Sequence, residues 1–253
     1  MQGESPARGD RGPWLPPGGT GAVSVGPVRV LTASIITIDG PAAAGKSVLG
    51  QRLALRLGYL YFDTGVLYRA VAWLALKRGV GASDATGLTR LAELADIGVS
   101  KPISADGRQY TVTVDGADVT WEIRGAEVEA IVSPVAATPG VRQALRERQR
   151  QIGLAGKIVM VGRDIGTVVL PEADLKVYLT ASPEERARRR FLELQARGAP
   201  ADMAAVRASI DERDRIDSQR AVAPLRPADD ALVIDSDGLT IDDELAIVEG
   251  YLK

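Results

Sequence analysis

The sequence predicts an α/β protein built on a parallel sheet, and three observations predict it. Five short apolar, β-branched runs recur along the chain, separated by helical stretches. Parallel strands need such crossovers, and strands covered on both faces read as near-continuous apolar sequence. A glycine-rich loop joins the first run to the first helix. One alternating segment with a hairpin signal interrupts the pattern, as a small antiparallel insert would.

Taken in order, residues 1–33 carry seven Gly and five Pro and include Pro16-Pro17-Gly18-Gly19. Such a composition buries too little surface to order itself, so a disordered extension is expected there. It holds no continuous apolar stretch of the kind that targets a chain for secretion. Ile35-Ile36-Thr37-Ile38 then reads as a strand, followed by a glycine turn and a helix over Val48 to Leu57. The other strand candidates are Tyr59 to Phe62, Ile158 to Val161, Leu175 to Leu179 and Leu232 to Ile234. Tyr110-Thr111-Val112-Thr113-Val114 alternates, and Asp115-Gly116 predicts a hairpin returning along Asp118-Val119-Thr120-Trp121. Ser182 as N-cap and Pro183 at the first helical position start a helix that runs to about Arg197. No repeat of solenoid or propeller period is present, so a single enzyme-like domain over 34–253 is the simplest organisation.

Composition narrows the chemistry. The chain has 253 residues, 45% hydrophobic and 25% charged, enough for a substantial core and without an apolar run of membrane-spanning length. It contains neither Cys nor His. Disulfides, thiolate nucleophiles, imidazole acid/base catalysis and Cys or His metal sites are therefore excluded. A net charge of -2 argues against a globally basic nucleic-acid binder. The expected partners are small molecules, with no nucleic acid and no membrane, and the chain is expected to be a cytoplasmic monomer.

The loop Gly40-Pro41-Ala42-Ala43-Ala44-Gly45-Lys46-Ser47 matches G-x-x-x-x-G-K-[ST] and lies between a strand and a helix. Its glycines let successive N–H groups turn inward, and the following helix, which includes Val48, adds the positive end of its dipole. Such a cradle suits ATP phosphates. Lys46 supplies charge to the β and γ phosphates, and the Ser47 hydroxyl is a magnesium ligand. The loop leaves the reaction open, because switches, motors, transporters and small-molecule kinases all use one.

Later motifs decide between them. They are Asp63-Thr64-Gly65 with Tyr68-Arg69, Glu122-Ile123-Arg124, Val141-Arg142, Gly162-Arg163-Asp164-Ile165-Gly166-Thr167-Val168-Val169, and Arg213 through Ala221-Val222-Ala223-Pro224-Leu225. In content and order, over roughly Ile35 to Leu252, the chain resembles bacterial cytidylate kinases. The resemblance implies a three-layer P-loop kinase fold with a five-stranded parallel sheet. It also implies a nucleoside-monophosphate-binding insert over about 64–155, with a small antiparallel sheet, and a short helical lid over about 182–198. The implied reaction moves the γ-phosphoryl group of ATP to CMP or dCMP, with Mg2+ as cofactor.

The resemblance places Arg69 and Arg163 on the acceptor phosphate. It puts Thr64, Arg142, Asp164 and Arg220 around the pyrimidine, and Ser133, Arg213 and Asp217 around the sugar. A carboxylate can accept from the N4 amino group of cytosine, and guanidiniums can fill its N3 and O2; uracil reverses two of these positions. Lys46, Arg163 and the lid residues Arg186, Arg189 and Arg190 are expected to stabilise the moving phosphoryl group. The acceptor phosphate is itself the nucleophile, so no histidine is needed. Val161 stands where many relatives carry an acidic residue, and Asp63 is the expected substitute near magnesium. Blander readings accompany these: a solvated helix face over Arg186 to Arg190, an ion pair of Arg163 with Asp164, Arg213 pairing with Asp217 at i,i+4, and a helix-end turn at Ser133-Pro134. Tyr68 and Trp121 read as packing residues. Other P-loop small-molecule kinases (UMP/CMP, adenylate or shikimate type) and a non-catalytic nucleotide-binding regulator are the alternatives.

Overall fold

The computed structural model describes residues 23–24, 33–100, 102–196 and 198–252. The disorder expected over 1–33 falls largely outside them. Within that stretch Val23–Ser24 (β1) is a short strand. The sheet then begins in earnest with Ile35–Asp39 (β2), and Lys46–Leu57 (α1) follows the loop. Leu60–Asp63 (β3) leads into Gly65–Arg78 (α2) and Ala85–Leu94 (α3). Ile97–Ser100 (β4), Thr111–Val114 (β5) and Ala117–Asp118 (β6) form a separate antiparallel sheet in the order β4-β5-β6. Two helices, Ala126–Ala137 (α4) and Pro139–Leu154 (α5), return the chain to Ile158–Val161 (β7). Leu175–Thr180 (β8), Pro183–Ala196 (α6), Met203–Gln219 (α7), Leu232–Asp235 (β9) and Ile241–Gly250 (α8) complete it.

The main sheet runs β1-β9-β8-β2-β7-β3, with the last five parallel and β1 antiparallel on the edge. The predicted parallel core is therefore present, with each strand end within a residue of its predicted place. Strand β7 shows why these runs lack polar alternation. Ile158 and Met160 enter the core beneath α2, α4 and α5, while Val159 and Val161 enter the core shared with α1 and α8. Burying a side chain of this size contributes about 1.5–3 kcal/mol, so a polar residue on either face would be costly.

The hairpin forms at Asp115-Gly116, both with positive φ (50° and 80°), as a turn that follows strand twist requires. Its return strand is shorter than predicted, ending at Asp118, because Asp118 turns back on Thr120. Trp121, read as a packing residue, is instead exposed and donates its indole N–H to Asp106 at 2.9 Å. The strand β4 was not anticipated: Ile97-Gly98-Val99-Ser100 is short and carries no turn signal of its own. Ser133-Pro134 lies inside α4, so the helix-end turn is not formed.

Candidate active site

The site lies at the carboxyl ends of β2, β3 and β7, where a parallel sheet opens a crevice. After β2 the chain must turn beneath the neighbouring strand. Gly40 has φ +146°, and a Cβ there would stand 1.9 Å from the Leu179 carbonyl oxygen, so only glycine fits. Gly45, at φ 98°, caps α1, and Ala43 also takes a left-handed conformation. The Lys46 side chain folds back into the loop, its Nζ donating to the Pro41 carbonyl at 2.6 Å. Burial, and then the nearby Arg163 guanidinium, push the Lys46 pKa well below its ordinary value; Asp63, Asp39 and Asp217 pull the other way. Lys46 and Arg163 thus share one electrostatic neighbourhood.

Ser47 Oγ lies 3.5 Å from the Asp63 carboxylate. Asp63 sits opposite Val161 in the β3–β7 register. Val161 itself turns away from the crevice: its methyl would lie 2.7 Å from a Cβ on Gly50, in the core under α1. Its carbonyl accepts from both the backbone N–H and the hydroxyl of Thr64.

A second cluster is built mainly from side chains, with Arg142 and Arg220 also donating to the carbonyls of Ala136 and Ala223. Asp164 is buried and pairs with Arg142 and, at 3.4 Å, with Arg220. Arg220 also reaches Asp217 at 3.4 Å, and Asp217 holds Arg163 at 3.0 Å. Burial pushes the Asp217 carboxyl up, but the Arg163 and Arg220 guanidiniums outweigh it and its pKa lies below the usual range. Arg142 lies 5.5 Å over the Tyr68 ring, so Tyr68, read as packing, also carries a guanidinium. Arg142 Nε is buried without an acceptor among the described residues. Neither of the expected local pairs forms: Arg163 turns to Asp217 rather than Asp164, and Arg213 turns to Glu129 rather than Asp217.

The chain from Arg163 to Asp164 is held by a residue that sequence reasoning missed. Asp39, at the end of β2, accepts from the backbone N–H groups of Ile165 (2.8 Å) and Gly166 (2.7 Å). Burial raises its pKa to about 6, the two N–H groups acting against it. A polar residue ending an otherwise apolar strand is the signal that could have found it. Glu129 was missed as well, for it lies in the first turn of α4 beside Glu127, among residues of no special spacing. It joins Arg69 at 2.6 Å and Arg213. Ser133 stands one turn further along the same helix.

The three arginines of α6 divide. Arg186 is buried and bonds the carbonyls of Ala181 and Ala42 and the carboxylate of Asp214. Arg189 bonds Ala44 O, Ser236 and Glu185. Both therefore brace the phosphate loop by its carbonyls. The solvated-face reading fits Arg188, which is exposed and pairs with Glu185; Arg190 is half-buried and pairs with Glu193.

Comparison with known proteins adds the decisive observation: residues 36–253 match the family model described as cytidylate kinase. The chain belongs to the cytidylate kinase family. A cytidylate kinase of Roseiflexus castenholzii is 54% identical over 216 residues, covering 85% of this chain and 91% of that protein. A cytidylate kinase of Chloroflexus aggregans is 53% identical over 213 residues (84% and 91%), and one of Herpetosiphon aurantiacus 49% over 221 residues (87% and 95%). The family match spans the phosphate loop, the antiparallel insert and the arginine–carboxylate cluster together.

Proposed function

We infer that the protein transfers the γ-phosphoryl group of ATP to CMP or dCMP, giving ADP and CDP or dCDP. The observation that carries the reading is the unbroken series Arg142, Asp164, Arg220, Asp217 and Arg163, which ends beside Lys46 of the phosphate loop. One end suits a base, and the other suits phosphate.

In this reading the N–H groups from Gly40 to Val48 cradle the ATP phosphates, and Lys46 swings from the Pro41 carbonyl onto them. Polyphosphate favours the charged form of the lysine, which burial opposes in the free protein. Arg69 and Arg163 hold the acceptor phosphate in line for attack, and positioning with charge neutralisation supplies most of the rate. Asp164 accepts from cytosine N4, while Arg142, with its spare buried Nε–H, and Arg220 donate to N3 and O2. Thr64 lies at the edge of the base, and Ser133, Arg213 and Asp217 at the sugar. Ser47 and Asp63 are hard oxygen donors close enough to share one ion, and they fit magnesium. Bound there, Mg2+ would neutralise charge on the transferring phosphates. Among the described residues no cluster of three or more acidic side chains competes for it. That suits an ion held mainly by phosphate and water.

The segment over about 182–198 acts as the lid, with Arg190 reaching the phosphates as α6 closes and Arg186 and Arg189 keeping the loop in shape. The insert over about 64–155 carries the acceptor side. The enzyme is proposed to work as a monomer in the cytoplasm, where nucleotides are made. A coupled assay of ADP release with CMP, dCMP, UMP, AMP and shikimate tests the reaction. CMP and dCMP should stimulate ATP turnover, with kcat/KM for UMP lower by at least about 100-fold, as expected when buried polar groups meet the wrong base. Turnover that no nucleotide stimulates would remove the kinase reading, and equal use of UMP would remove the assigned base contacts.

A further inference from the structure

Glu129 is an acidic residue set among cations. On α4, it faces Arg69 from α2 at 2.6 Å and Arg213 from α7, one oxygen to each. The charge of Arg190 on α6 also reaches it. Arg213 in turn feels Arg163 and Arg69. Three guanidiniums from three helices therefore act on a single half-buried carboxylate, two of them in direct ion pairs. Such a convergence of arginines suits a dianionic phosphate, and here a carboxylate spans two of them in the way two phosphate oxygens would.

We infer that Glu129 is the internal counter-anion of the acceptor subsite: it holds Arg69, assigned to the phosphate, and Arg213, assigned to the sugar, in place while the subsite is empty, and the incoming nucleotide must displace it. The inference rests on the kinase reading and deepens it. Without Glu129, the clustered guanidiniums would repel one another and attract any small anion. With it, only a ligand that offers more charge than one carboxylate, together with base and sugar contacts, can take the two arginines. Glu129 thus acts as a positioning and selectivity residue, trading acceptor affinity for exclusion of inorganic anions.

The test is Glu129→Gln, which keeps the shape and removes the charge. Loss of a competing charge worth about 1 kcal/mol should lower KM for CMP about fivefold, with KM for ATP moving less than twofold. Inorganic sulfate should inhibit the variant competitively against CMP at about fivefold lower concentration than it inhibits the wild type. Glu129→Asp keeps the charge and should stay near the wild type in both readings. A general packing defect would instead raise KM for both substrates. An unchanged or raised KM for CMP in an active Glu129→Gln enzyme overturns the inference and leaves the kinase reading intact. Wild-type protein without CMP-dependent turnover overturns both. Should Glu129→Gln lose activity, sulfate-dependent thermal shifts replace kinetics: a larger shift than the wild type's supports the counter-anion role, and an equal or smaller one removes it.

Discussion

At the phosphate loop the ligand-facing groups are main-chain N–H donors plus one lysine, shaped by Gly40 and Gly45. Around Asp164 the polar groups that face one another are side chains drawn from α5, α7 and the turn after β7. The first construction tolerates many side chains, because the backbone does the binding; the second tolerates few, because each guanidinium is matched to a buried carboxylate. Removing one member of a buried set leaves its partner charged and unsolvated, which is far more costly than losing a surface pair. The phosphate loop is thus robust in sequence and exacting in backbone angle, whereas the Asp164 cluster is the reverse.

The largest effect is expected where the loop depends on a side chain. Lys46→Ala should lower kcat on the order of 1000-fold while CMP binding stays within about twofold, as measured by steady-state kinetics and titration calorimetry. A variant with near-normal kcat would mean that the backbone alone supplies the donor site. Next comes Asp217→Ala, which frees Arg163 and Arg220 together. It should lower kcat/KM for CMP on the order of 100-fold with KM for ATP little changed, because truncating a buried charged partner costs several kcal/mol, part of it in folding stability. If ATP use falls equally, the two sites are not separable as described.

The smallest effect concerns pH. Burial pushes the Glu129 carboxyl up, but Arg69 and Arg213 prevail and hold it at about 2, against 4.5 when free. A depressed carboxyl stabilises the fold fully above the unfolded value, and that share is lost as pH falls from 4.5 through about 2. The melting temperature of Glu129→Gln should therefore lie a few degrees below the wild type's at neutral pH and converge with it across that interval. A gap that persists at pH 2 would place the loss in packing rather than charge.

The same contrast explains what the sequence makes legible. The loop is contiguous, so its spelling between a strand and a helix is enough to find it. Arg142, Asp164 and the neighbouring Asp217 and Arg220 are separated by long stretches of chain and could be grouped only by resemblance to a family. Their pairing was not readable, since Arg213 looks as well placed for Asp217 at i,i+4 as for Glu129 in another helix. Strands buried on both faces declared themselves through unbroken apolar runs. By contrast β4, with Gly98 facing Thr113 across the ladder, shows no apolar run, and its alternation is only Ile97 and Val99, too short to stand out. Asp39 was hidden because its partners are amides, which leave no trace in residue type.

Asp39 follows β2 directly into Gly40, and its carboxylate grips the amides of Ile165 and Gly166. The donor cradle and the turn bearing Arg163 and Asp164 are therefore bolted to one another at their base, like a fixed jaw. In the proposed reaction this contact would set the gap the phosphoryl group must cross before any substrate arrives, so that a closing movement would change what is shielded from water and not how far the group travels.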